Sequence, residues 1–218
     1  MENHFEMELD ALRQKILLMA SRAETAVHQS VQSIIQRDCD LAVRVNQDDE
    51  ILDRFELEID QMTILLLTKA PLANDLRLIS VAMKVSQNLE RMGDEATKIA
   101  KRARDLAQEP AVKINFDFNR LAGLATDMVK AALDTFVQRD SAAARAIIPR
   151  DKEVDALNKE VHHQLAQHMS KHPDTIERCL DWIVAAKSLE RIADHAKNIA
   201  EEVVFLYEGQ DIRHLLKS

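Results

Sequence analysis

The sequence predicts an all-α protein built as two tandem antiparallel three-helix bundles related by an internal repeat. Composition is the first ground. The chain has 218 residues with only 3 Gly and 4 Pro, too few punctuators for many tight turns. Aromatic residues make up 4%, which leaves little material for strands. Ala, Leu, Glu, Lys, Arg, Gln and Met abound, the residues that lose least on entering a helix. Self-similarity is the second ground. LERMGDEATKIA at 89–100 returns as LERIADHAKNIA at 189–200, Gln36-Arg37-Asp38 as Gln138-Arg139-Asp140, and Asp49…Asp53 as Asp151…Asp155. The last two pairs share one offset and the first differs by two residues; TKAPLAND (68–75), the longer counterpart of KHPD (171–174), absorbs the slip. Gln108-Glu109-Pro110 separates the copies, so the units are 1–109 and 110–218.

The third ground is helical periodicity, element by element. Helices are expected over 5–37, 40–68, 73–107, 117–139, 141–171 and 174–207. Pro71 and Pro173 mark equivalent turns, because proline cannot continue a helix interior. Asn74 or Asp75 is the expected N-cap of the third helix and Asp174 that of the sixth. On the second helix Leu52, Phe55, Ile59 and Met62 share one face, matched on the fifth by Val154, Leu157 and Val161. Leu89, Met92, Ala96 and Ile99 stripe the third helix. Leu189, Ile192, Ala196, Ile199, Val203 and Leu206 stripe the sixth, with Trp182 starting that stripe. Each stripe is wide enough for a bundle core. Pro149 stands opposite Gln47 yet falls inside the fifth helix. Its ring should clash with the carbonyl of Arg145, so a break is expected near Arg145–Arg150.

Several function classes are excluded early. The net charge is −8 without a basic run, so the face that displaces counterions from nucleic acid is lacking. Cys39 and Cys179 lie far apart and fit small apolar fillers better than a disulfide framework or zinc site. The N-terminus, MENHFEMELDALRQK, is no signal peptide, and the apolar run from Met62 to Leu67 is too short to span a bilayer. A cytoplasmic location is expected. Three glycines leave no phosphate-cradling loop or nucleophile elbow, so enzyme activity is not expected.

What remains is acidic. Glu90 with Asp94, Glu190 with Asp194, Asp49 with Asp53, and Asp151 with Asp155 are each carboxylates at i and i+4. Like charges at this spacing repel, and four such pairs at repeat-related places call for a compensating cation. Antiparallel packing of neighbouring helices would gather four carboxylates on the outer surface of each unit. Such oxygen-rich clusters suit Mg²⁺, Ca²⁺, Mn²⁺ or iron. A solvated charged face is the plainer alternative, with Arg91 and Arg191 pairing Asp94 and Asp194 and with Lys98 and Lys197 nearby. His195 beside Asp194 reads as a solvated helix residue or a further ligand. Glu160-Val161-His162-His163 contains the Glu-x-x-His of ferritin-like di-iron bundles, but its counterpart, Glu58-Ile59-Asp60-Gln61, has no histidine. A metal-binding redox or storage bundle is therefore the second reading.

Taken together, the tandem LERMGDEATKIA and LERIADHAKNIA, the segment PLANDLR (71–77) and the Asp-x-x-x-Asp pairs resemble the PhoU family of phosphate-transport regulators over nearly the whole chain. The resemblance implies two similar three-helix bundles. It also implies a non-enzymatic cytoplasmic negative regulator of the phosphate-starvation response, contacting a phosphate ABC transporter and a membrane sensor histidine kinase. Metal clusters in the family point to Glu90, Asp94, Glu190, Asp194, Asp49, Asp53, Asp151 and Asp155, with Mg, Mn, Fe, Zn or Ca as cations. A homodimer is the expected assembly. Glu95 stands where the second motif has His195 and where the family pattern often shows histidine.

Overall fold

In the computed structural model, residues 2–69, 73–112 and 116–213 are described, and among them every regular element is helical. The order is α1 (Glu2–Gln36), α2 (Cys39–Leu67), α3 (Ala73–Gln108), α4 (Phe118–Gln138), α5 (Ser141–Ile147), α6 (Asp151–Lys171) and α7 (Ile176–Glu208), with short 3-10 turns at Ile148–Arg150 and Pro173–Thr175. α1, α2 and α3 pack on one another as the first bundle. α4, α7 and the α5–α6 pair form the second, and α3 lies against α7 to join them.

The repeated Gln-Arg-Asp triplets make the same turn twice. Arg37 and Arg139 take left-handed backbone angles, φ +57° and +60°, ending the preceding helix. The Asp38 amide then donates to the Ser33 carbonyl at 2.9 Å and the Asp140 amide to that of Thr135 at 3.1 Å, which satisfies carbonyls left open at the helix end. The same aspartates cap the next helix. Asp38 accepts from the Leu41 amide and Asp140 from the Ala143 amide, both at 2.9 Å, the preferred N-cap interaction.

The helix break expected around Pro149 is present. α5 stops at Ile147, a 3-10 turn holds Ile148–Arg150, and α6 resumes at Asp151, whereas α2 runs unbroken through its counterpart. The expected caps at the other turns are corrected. α3 already includes Ala73, so Asn74 and Asp75 lie in its first turn. Asp174 sits in the turn before α7, whose N-cap is Thr175; the Thr175 hydroxyl donates to the His172 carbonyl at 2.7 Å and caps no α7 amide. Pro71 lies outside the described residues.

The stripes all face inward. Leu52, Ile59, Leu89, Met92, Ala96, Ile99, Val154, Leu157, Val161, Leu189, Ile192, Ala196, Ile199 and Val203 are buried in one continuous core, with Phe55, Met62 and Leu206 packed at its edge. Trp182 is only partly buried and stacks edge-on against Phe116 and Phe118, at centroid distances of 5.2 and 4.7 Å. It therefore pins the inter-unit linker to α7. Cys179 is buried, but Cys39 is exposed at the start of α2 and fills no gap.

Candidate functional site

The acidic pairs come together along the seams between neighbouring helices. In the first unit the seam is α2 against α3. Gly93 permits the close approach: a Cβ there would run into the Leu52 side chain and lie 3.6 Å from Asp49 Oδ1. Asp49 and Glu90 are half-buried, while Asp53 and Asp94 are exposed. The half-buried pair feels its neighbours in its protonation. Burial pushes the Asp49 carboxyl up, and the charges of Asp94 and Asp53 push it further. Glu90 is pushed up to about 7, first by burial and then by Asp94, Glu56 and Asp53, with Arg91 opposing. Glu56 is raised in the same way. Sequence reasoning missed Glu56, although its place three residues after Asp53 puts it on the same face of α2.

The second unit has the same seam between α6 and α7, filled differently. Asp151, Asp155, Glu190 and Asp194 are all half-buried. The Lys197 ammonium donates to Asp151 Oδ2 at 2.7 Å and Asp194 Oδ1 at 2.6 Å, tying the two helices together. Burial alone would lower the lysine's pKa, but the two hydrogen bonds outweigh it and hold it above its ordinary range. Burial pushes Asp151 up and Lys197 opposes that push. Glu190 pairs with Lys187. The repulsion expected in this unit is thus relieved locally. Of the eight carboxylates, Asp53 and Asp94 are exposed and the other six are half-buried along the seams.

The arginines do not make the pairs expected of a solvated face. Arg191 reaches across to Glu95 Oε1 at 3.1 Å, and Arg91 forms no ion pair among the described residues. Glu95 is buried in the joint between units, where burial works to raise its pKa. Hydrogen bonds from Lys98, Ser188 and Arg191 win and bring it below the ordinary carboxylate value. His195 lies in the same joint, with Nδ1 3.0 Å from Asn88 Oδ1, and burial pushes its pKa down. It is a half-buried interface residue rather than a solvated one. Among the described residues, no three carboxylate, imidazole or thiolate groups converge where they could hold a metal ion. A cation in either seam would have to draw side chains together.

Glu160 and His163 both face solvent on α6, whereas a di-iron bundle buries such ligands between its helices. The ferritin-like reading has no support. No helix among the described residues is long and apolar enough to cross a membrane.

Comparison with known proteins agrees with this architecture. The PhoU domain family matches twice, at residues 16–103 and 118–203. A protein of Pseudomonas putida named phosphate-specific transport system accessory protein PhoU homolog is 38% identical over 213 residues, covering 97% of this chain and 83% of that protein. The crystal structure of PhoU from Pseudomonas aeruginosa superposes with a TM-score of 0.92 at 36% identity, covering 94% of this chain and 100% of that one. A phosphate transport system regulatory protein PhoU from Streptococcus pneumoniae shares the fold, at TM-score 0.83 and 23% identity, over 95% of this chain and 98% of that one. Two matched domains, one in each bundle, and relatives aligned over 83–100% of their own length lead to one conclusion: the chain belongs to the PhoU family.

Proposed function

We propose that this protein is a non-enzymatic regulator of phosphate uptake that acts by contact in the cytoplasm. It holds the phosphate-starvation response off by engaging a phosphate ABC transporter and a sensor histidine kinase. The observation that carries this reading is the similarity, over 97% of this chain and 83% of the relative, to a protein named as a phosphate-specific transport system accessory protein. The chemistry of the chain agrees with a role other than direct phosphate capture. A phosphate site needs converging backbone N–H groups or clustered arginines, and the seams described above present carboxylates instead. Exposed apolar residues for contact are available: Leu57, Ile64, Leu65 and Leu67 on α2, and Leu76 and Met83 on α3. A homodimer is part of the same reading, since such surfaces serve self-association as well as partners. Regulation would follow from differential affinity for the transporter's states. Deleting the gene should leave phosphate-starvation genes on in rich phosphate, and purified protein should show no hydrolase, kinase or phosphatase activity. Normal repression in a strain lacking every copy of the family would overturn the proposal.

The α2–α3 seam is proposed to take a hard cation. Burial and the neighbouring charges of Asp53 and Asp94 raise the proton affinity of Asp49 and Glu90 there, and a cation drawn from Mg, Mn, Ca, Fe or Zn would relieve the four carboxylates. Isothermal titration with Mn²⁺ should show binding that Asp94→Asn weakens. Equal binding by both proteins would remove Asp94 from the site.

A further inference from the structure

The two seams descend from one repeat, yet one position separates their chemistry. Lys197 in the second motif corresponds to Thr97 in the first. The Lys197 ammonium lies between a carboxylate of α6 and one of α7, 2.7 Å from Asp151 and 2.6 Å from Asp194. That is where a cation shared by these helices would have to sit. Its side chain is 22% exposed and that of Asp151 14%, so the pair is sheltered from the screening that weakens surface ion pairs. Thr97 is buried and donates its hydroxyl to the Asp94 carbonyl of its own helix at 2.8 Å. Among the described residues no ammonium bridges the two helices of the first seam: Lys101 acts on Asp49 through its charge but forms no ion pair with it. Lys98, one residue on from Thr97, turns to Glu95 at 2.8 Å.

We propose that Lys197 is a tethered cation that closes the second acidic seam to metal ions. The seams have diverged, one self-neutralised and the other dependent on an external ion. The inference rests on the reading that a carboxylate seam of this family takes cations when nothing else neutralises it. A metal ion entering the α6–α7 seam would have to displace an ammonium already bonded to both of its principal ligands. Two positive charges cannot share that space without strong repulsion.

The test uses the full chain and Mn²⁺ alone, with bound ion counted by electron paramagnetic resonance. Lys197→Thr, which installs the residue of the first repeat, should bind one more Mn²⁺ per chain than wild type, and adding Asp194→Asn should abolish that gain. In wild type, Asp194→Asn should leave Mn²⁺ binding unchanged. Lys197→Thr should also melt at a lower temperature without Mn²⁺ and recover when it is added, a readout independent of signalling. Lys197→Gln, neutral and of similar length, serves if the threonine variant fails to fold. No gain of Mn²⁺ in a folded variant overturns the proposal, as does wild-type binding that Asp194→Asn removes. Wild type binding no Mn²⁺ while the variant binds one would defeat the cation reading of the first seam and leave the closure by Lys197 standing.

Discussion

Glu90 shows how much a single side chain can report. Its carboxyl is raised from an ordinary 4.5 to about 7 by burial and by its acidic neighbours, so the folded state holds its proton more tightly than the unfolded chain. A raised folded-state pKa means that its stabilising contribution is complete below about pH 4.5 and is lost as pH rises through about 7. At pH 8 the ionised group repels Asp94 and Glu56. Glu90→Gln should therefore raise the melting temperature at pH 8, by on the order of 1–3 °C, and change it little at pH 5. Equal shifts at both values would show that the effect is packing, not charge. Glu190 sits in the corresponding place of the second unit but forms an ion pair with Lys187. Identical motif letters thus carry different electrostatics.

Among the elements, the inter-helix turns govern where each bundle folds back. The α1–α2 and α4–α5 turns use a left-handed arginine followed by a capping aspartate. Loss of such a cap typically costs about 1 kcal/mol. Asp38→Ala and Asp140→Ala should each lower stability by about that amount in urea unfolding, and the double variant by about the sum, because the sites share no partner. A double variant no worse than either single one would mean that the turns are held by other contacts. The break between α5 and α6 was legible from Pro149 alone, since the missing N–H and the ring clash are local properties. The caps of α3 and α7 were not. Asn74, Asp75 and Asp174 have the right side chains, but neither α3 nor α7 starts immediately after one of them.

Across the whole molecule, α3 and α7 are both the spines of their own bundles and the joint between them. Residues buried on α3 include Ser86, Glu95 and Thr97 beside the apolar stripe, and on α7 Ser188, Glu201 and Glu202. Lys84 holds Glu202 at 3.1 Å and Arg102 holds Asp181 at 2.9 Å across the joint. One continuous core should unfold as one cooperative unit. The single Trp, Trp182, reports only on the second bundle, whereas circular dichroism reports on both. Their thermal transitions should coincide, and a separate earlier or later tryptophan transition would show that the bundles melt independently.

The helices, the duplication, the inward stripes and the family are legible in the sequence alone, because periodicity, proline sterics and repeated motifs are properties of short stretches of chain. The sequence also places the four acidic pairs on their helix flanks. What faces those flanks is set by the packing of helices that are distant in sequence. His195 and Arg191 read as residues of a solvated face, yet the packing of α3 on α7 half-buries His195 and ties Arg191 to the buried Glu95. Lys197 was visible near Asp194 as a neighbour along one helix. That it also reaches Asp151, 46 residues away on α6, depends on the seam that antiparallel packing creates, and Coulomb interactions are set by that distance in space rather than along the chain.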